Sequence, residues 1–84
     1  MGIIRIDSLP VAAYLLTQGH PLAHLTPDPK RARRFRFFFA GGPRLVQDLR
    51  EFFAHTALVD PCRFVECMVE LKQLIRTRQR RQAA

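Results

Sequence analysis

The pattern of apolar and polar residues has a two-residue period in one segment of the chain and a helical period in three others. The two-residue period covers Arg33–Phe39 and predicts a strand with Phe35, Phe37 and Phe39 on one face. Arg34, Arg36 and Phe38 then lie on the other face. A sheet with its apolar face covered by helices satisfies this pattern.

Five further elements follow from periodicity and from turn and cap residues. Strands are predicted at Gly2–Ile6 and Leu22–Thr26, and helices at Leu9–Gln18, Pro43–His55 and Pro61 to about Arg78. Asp7 and Ser8 are both N-cap candidates for the first helix, Asp60 is a typical N-cap for the last, and Gly19 is typical of a helix end. In the last helix the residues expected to face inward are Phe64, Val65, Met68, Leu71, Leu74 and Ile75.

The predicted fold is a small single α+β domain of order β-α-β-β-α-α, with a short antiparallel sheet packed against helices. We assign residues 1–75 to the domain and 76–84 to a basic C-terminal tail with a frayed end. Pro27-Asp28-Pro29-Lys30 has the chemistry of a turn and joins the second and third strands into a hairpin.

Length and composition narrow the function classes. A chain of 84 residues forms one domain with a small core, in which a site walled off from water is hard to build. We therefore expect no enzyme. The formal net charge is +7, and only Lys30 and Lys72 among the cations are lysines. Arginine presents a planar fork of donors that suits phosphates and carboxylates.

The expected compartment is the cytoplasm. Two cysteines, Cys62 and Cys67, are five residues apart and do not form a disulfide framework. Arg5 and Asp7 interrupt the first apolar run, so no signal peptide is expected. No apolar stretch reaches the roughly 20 residues that span a bilayer, so we expect no membrane contact.

Short motifs follow one another along the chain: Ala13-Tyr14-Leu15-Leu16, Gly19-His20, Phe35-Arg36-Phe37-Phe38-Phe39, Glu51-Phe52-Phe53, Ala57-Leu58-Val59-Asp60-Pro61, Phe64-Val65 and Glu70-Leu71-Lys72. In this order they resemble a family of short bacterial and phage proteins classed only as a domain of unknown function. The likeness runs from about Leu9 to Ile75. It implies the order of the elements and transfers no catalytic residue.

The first candidate site is the basic hairpin, where five cations fall within seven residues: Lys30, Arg31, Arg33, Arg34 and Arg36. Arg34 and Arg36 are expected to share the open face of the sheet with Phe38. Cations beside an exposed aromatic ring favour binding of a nucleic-acid strand through phosphate pairing and base stacking. The alternative is a solvated hairpin whose charges discourage aggregation. RNA-recognition domains also carry aromatics on a third strand, but this chain ends in a helix instead of a fourth strand.

The second candidate site is the tail, with Arg76, Arg78, Arg80 and Arg81. Short basic runs commonly bind nucleic acid or an acidic partner. The structural alternative is a favourable interaction of these cations with the dipole at the helix C-terminus.

Metal binding and catalysis are not expected. The spacings of His20 with His24 and of Cys62 with Cys67 match no metal motif, and no cofactor is implied. Cys62 is expected to be half-buried. The helical carboxylates Asp48, Glu51, Glu66 and Glu70 are expected on exposed faces.

The sequence therefore favours a non-catalytic, nucleic-acid-associated accessory or regulatory protein. It would contact RNA or DNA backbone through its arginines, within a larger nucleoprotein assembly that includes a protein partner. The alternative is a protein–protein adaptor or inhibitor of phage or mobile-element origin, with an exposed apolar face and arginines that bind an acidic partner. The choice between RNA and DNA and the oligomeric state stay open.

Overall fold

The computed structural model describes residues 2–31 and 33–83, without the side chains of residues 82 and 83. Met1, Ala32 and Ala84, which belong to the predicted domain and tail, lie outside the described residues. The elements are β1 (Ile3–Ile6), α1 (Leu9–Thr17), β2 (Leu22–Pro27), β3 (Phe35–Ala40), α2 (Pro43–Phe53) and α3 (Pro61–Ala83). This confirms the predicted α+β class and the order β-α-β-β-α-α.

The sheet is antiparallel, with β3 in the centre and the strand order β1-β3-β2. On one side Ile4 pairs with Phe39, and on the other Leu25 pairs with Phe37. The pairing of β2 shifts by one residue between Leu22 and His24, which makes Ala23 a bulge. Both outer strands therefore take their register from β3.

One face of the sheet is covered by helices. Phe35, Phe37 and Phe39 are buried on that face, as their alternation predicted. The helices complete the core with Ala12, Ala13, Tyr14 and Leu15 of α1, Leu45 of α2, and Cys67 and Leu71 of α3. The opposite face of β3 carries Arg36 and Phe38, both half-buried.

The predicted caps form. The Ser8 hydroxyl accepts a hydrogen bond from the Val11 N–H at 3.4 Å, and the Asp60 carboxylate accepts one from the Cys62 N–H at 2.9 Å. Gly19 has a φ of +90°, which glycine adopts without strain. It turns the chain from α1 towards β2.

The last helix differs from its prediction. Residues 76–83, predicted to end in a frayed tail, continue α3 as far as Ala83. Arg, Gln and Ala are good helix formers, and they make up this segment except for Thr77. Val65 and Leu74, predicted to face inward, are 57% and 48% exposed, because α3 lies against the core along a narrower stripe centred on Cys67 and Leu71. Within the described residues, no helix is both long and apolar enough to cross a membrane.

Asp48 was predicted on an exposed helix face and is buried instead. Its carboxylate lies 2.6 Å from Nε2 of His20, in the loop between α1 and β2. Burial of a carboxylate is costly without such a partner. The contact therefore ties α2 to the loop that follows α1.

The two faces of β3 predict different mutational costs. Phe37→Ala should lower the free energy of unfolding by about 3–5 kcal/mol, because Phe37 is only 2% exposed and leaves a cavity in the core. Phe38→Ala should cost clearly less. Denaturant unfolding of both variants measures the difference. Equal costs, or the reverse order, would contradict the assigned faces.

The contact between His20 and Asp48 should stabilise the fold more than a surface ion pair does. His20→Ala leaves a buried carboxylate without its partner, and we expect a loss on the order of 1–3 kcal/mol. Arg63→Ala is the control, because Arg63 pairs with Glu66 on an exposed helix face. Its cost should be about 0–1 kcal/mol. Denaturant unfolding at neutral pH that gives similar costs would contradict a structural role for the contact.

Candidate functional site

The uncovered face of the sheet, which we call the outer face, combines aromatic and basic side chains. The strand registers place on it Arg5 of β1, Arg36 and Phe38 of β3, and His24 and Thr26 of β2. Phe38 is in the middle, paired with Arg5 on one side and His24 on the other. The rings of His24 and Phe38 have centroids 6.0 Å apart and are tilted by 51°.

Arg36 is on the predicted face, but it is less exposed than expected. Its guanidinium lies 3.5 Å from the Asp28 carboxylate, and only 25% of its side chain is exposed. Its Nε is enclosed and has no hydrogen-bond partner among the described residues. Arg36 is therefore partly neutralised and helps to hold the hairpin.

Asp28 organises the turn of the hairpin. Its carboxylate accepts a hydrogen bond from the Lys30 N–H at 2.8 Å, and its own N–H donates to the Arg34 carbonyl at 2.8 Å. The Lys30 N–H, followed by the charges of Arg36 and Arg31, holds the pKa of Asp28 below its ordinary value against an opposing effect of desolvation. Asp28 is thus ionised while it holds the turn.

The other cations of the hairpin point to solvent. Lys30, Arg31, Arg33 and Arg34 are exposed, and none of them lies within ion-pair distance of an acidic side chain in residues 2–31 and 33–81. Beside the turn is a cavity of about 220 Å³ lined by Asp7, Asp28, Lys30, Arg31, Arg34, Phe35 and Arg36. The structure thus brings Lys30, Arg31, Arg34 and Arg36 together around one polar cavity.

The four arginines of the predicted tail lie on two different faces of α3. Arg78 and Arg81 are three residues apart, so they share a face. Arg76 and Arg80 are four residues apart and share another face of the helix. Arg78 is half-buried, whereas Arg76, Arg80 and Arg81 are exposed. The arginines of the basic run therefore project from α3 in two different directions.

Arg78 and Arg81 face a groove between α3 and the edge of the sheet, which we call the β2 groove. Its volume is about 350 Å³, and its lining comprises Leu22, Ala23, His24 and Leu25 of β2 with Leu74, Thr77, Arg78 and Arg81 of α3. His24 lines this groove and also contacts Phe38 on the outer face. The aromatic face and one half of the tail are thus adjacent.

His24 is the residue that sequence reasoning missed. Its spacing from His20 made it only a candidate metal ligand, matching no metal motif. The signal was present in the antiparallel hairpin, where a residue of β2 opposite Phe38 must share its face. That register follows from the length of the connection between Pro27 and Phe35, since Pro27 to His24 pair regularly with Phe35 to Phe38. The sequence pattern does not fix where the two strands begin and end at this connection.

The cysteines and carboxylates form no metal site in the described part of the chain, where no group of three or more potential ligands is close together. Cys62 is exposed instead of half-buried as expected, and Cys67 is buried. Burial raises the pKa of the Cys67 thiol, which keeps it protonated and unreactive near neutral pH.

Comparisons of this chain with protein-family models, with curated proteins and with solved structures found no match. The resemblance to a family of short bacterial and phage proteins therefore stays a prediction from its motifs.

The charge of Asp28 should contribute a pH-dependent part of the stability. Asp28→Asn keeps an oxygen for the Lys30 N–H but loses the charge beside Arg36, so the variant should be less stable at neutral pH. Because the pKa of Asp28 is lowered in the folded state, this difference should be complete above its ordinary value of 3.8. It should disappear as the pH falls through the lowered pKa.

Unfolding of the wild type and the variant as a function of pH measures this difference. Asp7→Asn is the matched control, because it makes the same charge change in an exposed pair with Arg5. A difference between wild type and Asp28→Asn that persists unchanged into strong acid would contradict the role of the ionised carboxylate.

Proposed function

We propose that this protein is a non-catalytic, nucleic-acid-associated accessory or regulatory protein that contacts the backbone of RNA or DNA through its arginines. It would act as a small subunit of a larger nucleoprotein assembly. The observation that carries the proposal is the basic hairpin, where Lys30, Arg31, Arg33 and Arg34 are exposed beside the outer face without acidic partners in the described residues.

The distribution of acidic residues supports this proposal. Three of them are engaged in ion pairs, Asp7 with Arg5, Asp28 with Arg36 and Glu66 with Arg63, and Asp48 is hydrogen-bonded to His20. The excess positive charge is consequently concentrated at the hairpin and at the C-terminal end of α3. Unneutralised arginines bind phosphates with fork geometry and release condensed counterions, which favours association.

The proposal involves no chemical step. Arginine contacts to phosphate bind and orient a strand and leave its covalent bonds unchanged. The His20–Asp48 contact joins α2 to the loop after α1, and we assign it to folding. A cytoplasmic location is part of the same proposal, since the unbridged Cys62 and Cys67 suit a reducing compartment.

A second function is favoured by the exposed apolar side chains. Phe53, Leu58, Val65 and Val69 are between 47% and 90% exposed. Such side chains are typical of protein–protein contacts when they form a patch. They support the alternative of an adaptor or inhibitor of phage or mobile-element origin that binds an acidic protein. Recovery of partners from the native host with and without nuclease distinguishes the two, since only nucleic-acid bridging is nuclease-sensitive.

The hairpin cations should dominate the salt dependence of binding. Replacement of Arg31, Arg33 and Arg34 by Gln should weaken binding to all sequences similarly, because phosphates carry no sequence information directly. The slope of log affinity against log salt should become shallower by about 0.7–0.9 for each lost phosphate contact. Affinity for single- and double-stranded RNA and DNA at several salt concentrations measures this.

The control replaces Arg50, Arg63 and Lys72 by Gln, which lowers the formal net charge from +7 to +4, as the hairpin variant does. These three cations are exposed on α2 and α3. The proposal fails if the wild type binds none of the nucleic acids near physiological salt. It also fails if the two triple variants show the same fall in affinity and the same change in the slope of log affinity against log salt.

A further inference from the structure

We infer that the β2 groove and the adjoining outer face bind a single-stranded nucleic acid, with backbone phosphate at Arg78 and Arg81 and unstacked bases against His24 and Phe38. This rests on the proposed function and adds to it the strandedness of the ligand and its path on the protein.

The lining of the groove suits one nucleotide of a strand. Leu22, Leu25 and Leu74 supply apolar surface, and Arg78 and Arg81 supply positive charge beside it. A nucleotide is complementary to this lining, because it carries an apolar base face next to an anionic phosphate. Neither arginine lies within ion-pair distance of a carboxylate among residues 2–31 and 33–81, so both are available for phosphate.

The aromatic part of the site continues from the groove onto the sheet. His24 lines the groove, and its ring lies 6.0 Å from that of Phe38. The register of β3 then leads from Phe38 to Arg36 and the hairpin cations. Bases stack on aromatic side chains whatever their sequence, and a strand laid along this path meets cations at both ends.

A duplex does not fit this arrangement. Its bases are stacked and paired inside the helix, so their faces are inaccessible to His24 and Phe38. Only unstacked bases can reach the face of a sheet or enter a groove beside its edge. The combination of ring surfaces with groove arginines therefore favours a single strand.

The edge of β2 argues against an acidic peptide as the occupant. The Asp28 N–H bonds to the Arg34 carbonyl, and hydrogen-bonded pairs alternate along an antiparallel ladder. The N–H and C=O of Leu25 consequently point to the free edge. Pro27, the next outward residue, has no N–H, and Ala23 lies in the bulge. An added peptide strand would find only one regular residue to pair with.

The arginines on the two faces of α3 allow a matched pair of variants. Arg78→Gln with Arg81→Gln removes the groove cations, and Arg76→Gln with Arg80→Gln removes the same charge from another face. A thymidine oligomer of about ten nucleotides is the probe, since it is single-stranded and stacks without sequence readout. A self-complementary DNA duplex of similar length is the comparison.

The affinity of the groove variant for the oligomer should fall about ten-fold or more. The fall in affinity of the control variant should be several times smaller. His24→Ala and Phe38→Ala should each lower the affinity for the oligomer more than the affinity for the duplex. Thermal unfolding checks that the variants are folded. Because Arg78 is half-buried, His24→Ala, at an exposed residue, supplies the decisive test if the groove variant does not fold.

The possible failures are distinguishable. If the wild type binds neither oligomer nor duplex, the proposed function fails and this inference fails with it. If the wild type binds, but the two arginine variants lose equally or the duplex binds as tightly as the oligomer, the inference alone is overturned. If the groove arginines bind a glutamate-rich peptide and do not bind the oligomer, the inference is overturned in favour of a protein partner.

Discussion

The alternation of side chains along β3 is the constraint on which the rest of the structure depends. β3 is the central strand, so both β1 and β2 take their register from it. Phe35, Phe37 and Phe39 are buried against the helices, and a shift of one residue would expose all three. In a chain with so small a core, that loss would exceed what the remaining contacts supply.

The same constraint creates the candidate site. Because the three buried phenylalanines fix one face, Arg36 and Phe38 must lie on the other. Antiparallel pairing then adds Arg5 and His24 on either side of Phe38. The sheet therefore presents an aromatic ring among cations as a direct consequence of how it buries its opposite face. No separate scaffold is needed to position these side chains.

Sequence alone predicts the features that depend on local periodicity and fails on those that depend on distant contacts. The elements, the caps at Ser8 and Asp60 and the buried face of β3 follow from local pattern. Burial of Asp48 depends on His20, 28 residues away. His24 and Arg78 line the same groove because of how α3 packs against the edge of the sheet, which leaves no periodic signal in the sequence.

The proposed nucleic-acid surface is continuous from the hairpin across the outer face to the β2 groove. NMR chemical shifts of isotopically labelled protein, titrated with a short single-stranded oligonucleotide, would map it residue by residue. The largest changes are expected at Arg34, Phe38, His24 and Arg78, with Arg76 and Arg80 less affected. Changes confined to Phe53, Leu58, Val65 and Val69, or no changes near physiological salt, would contradict it.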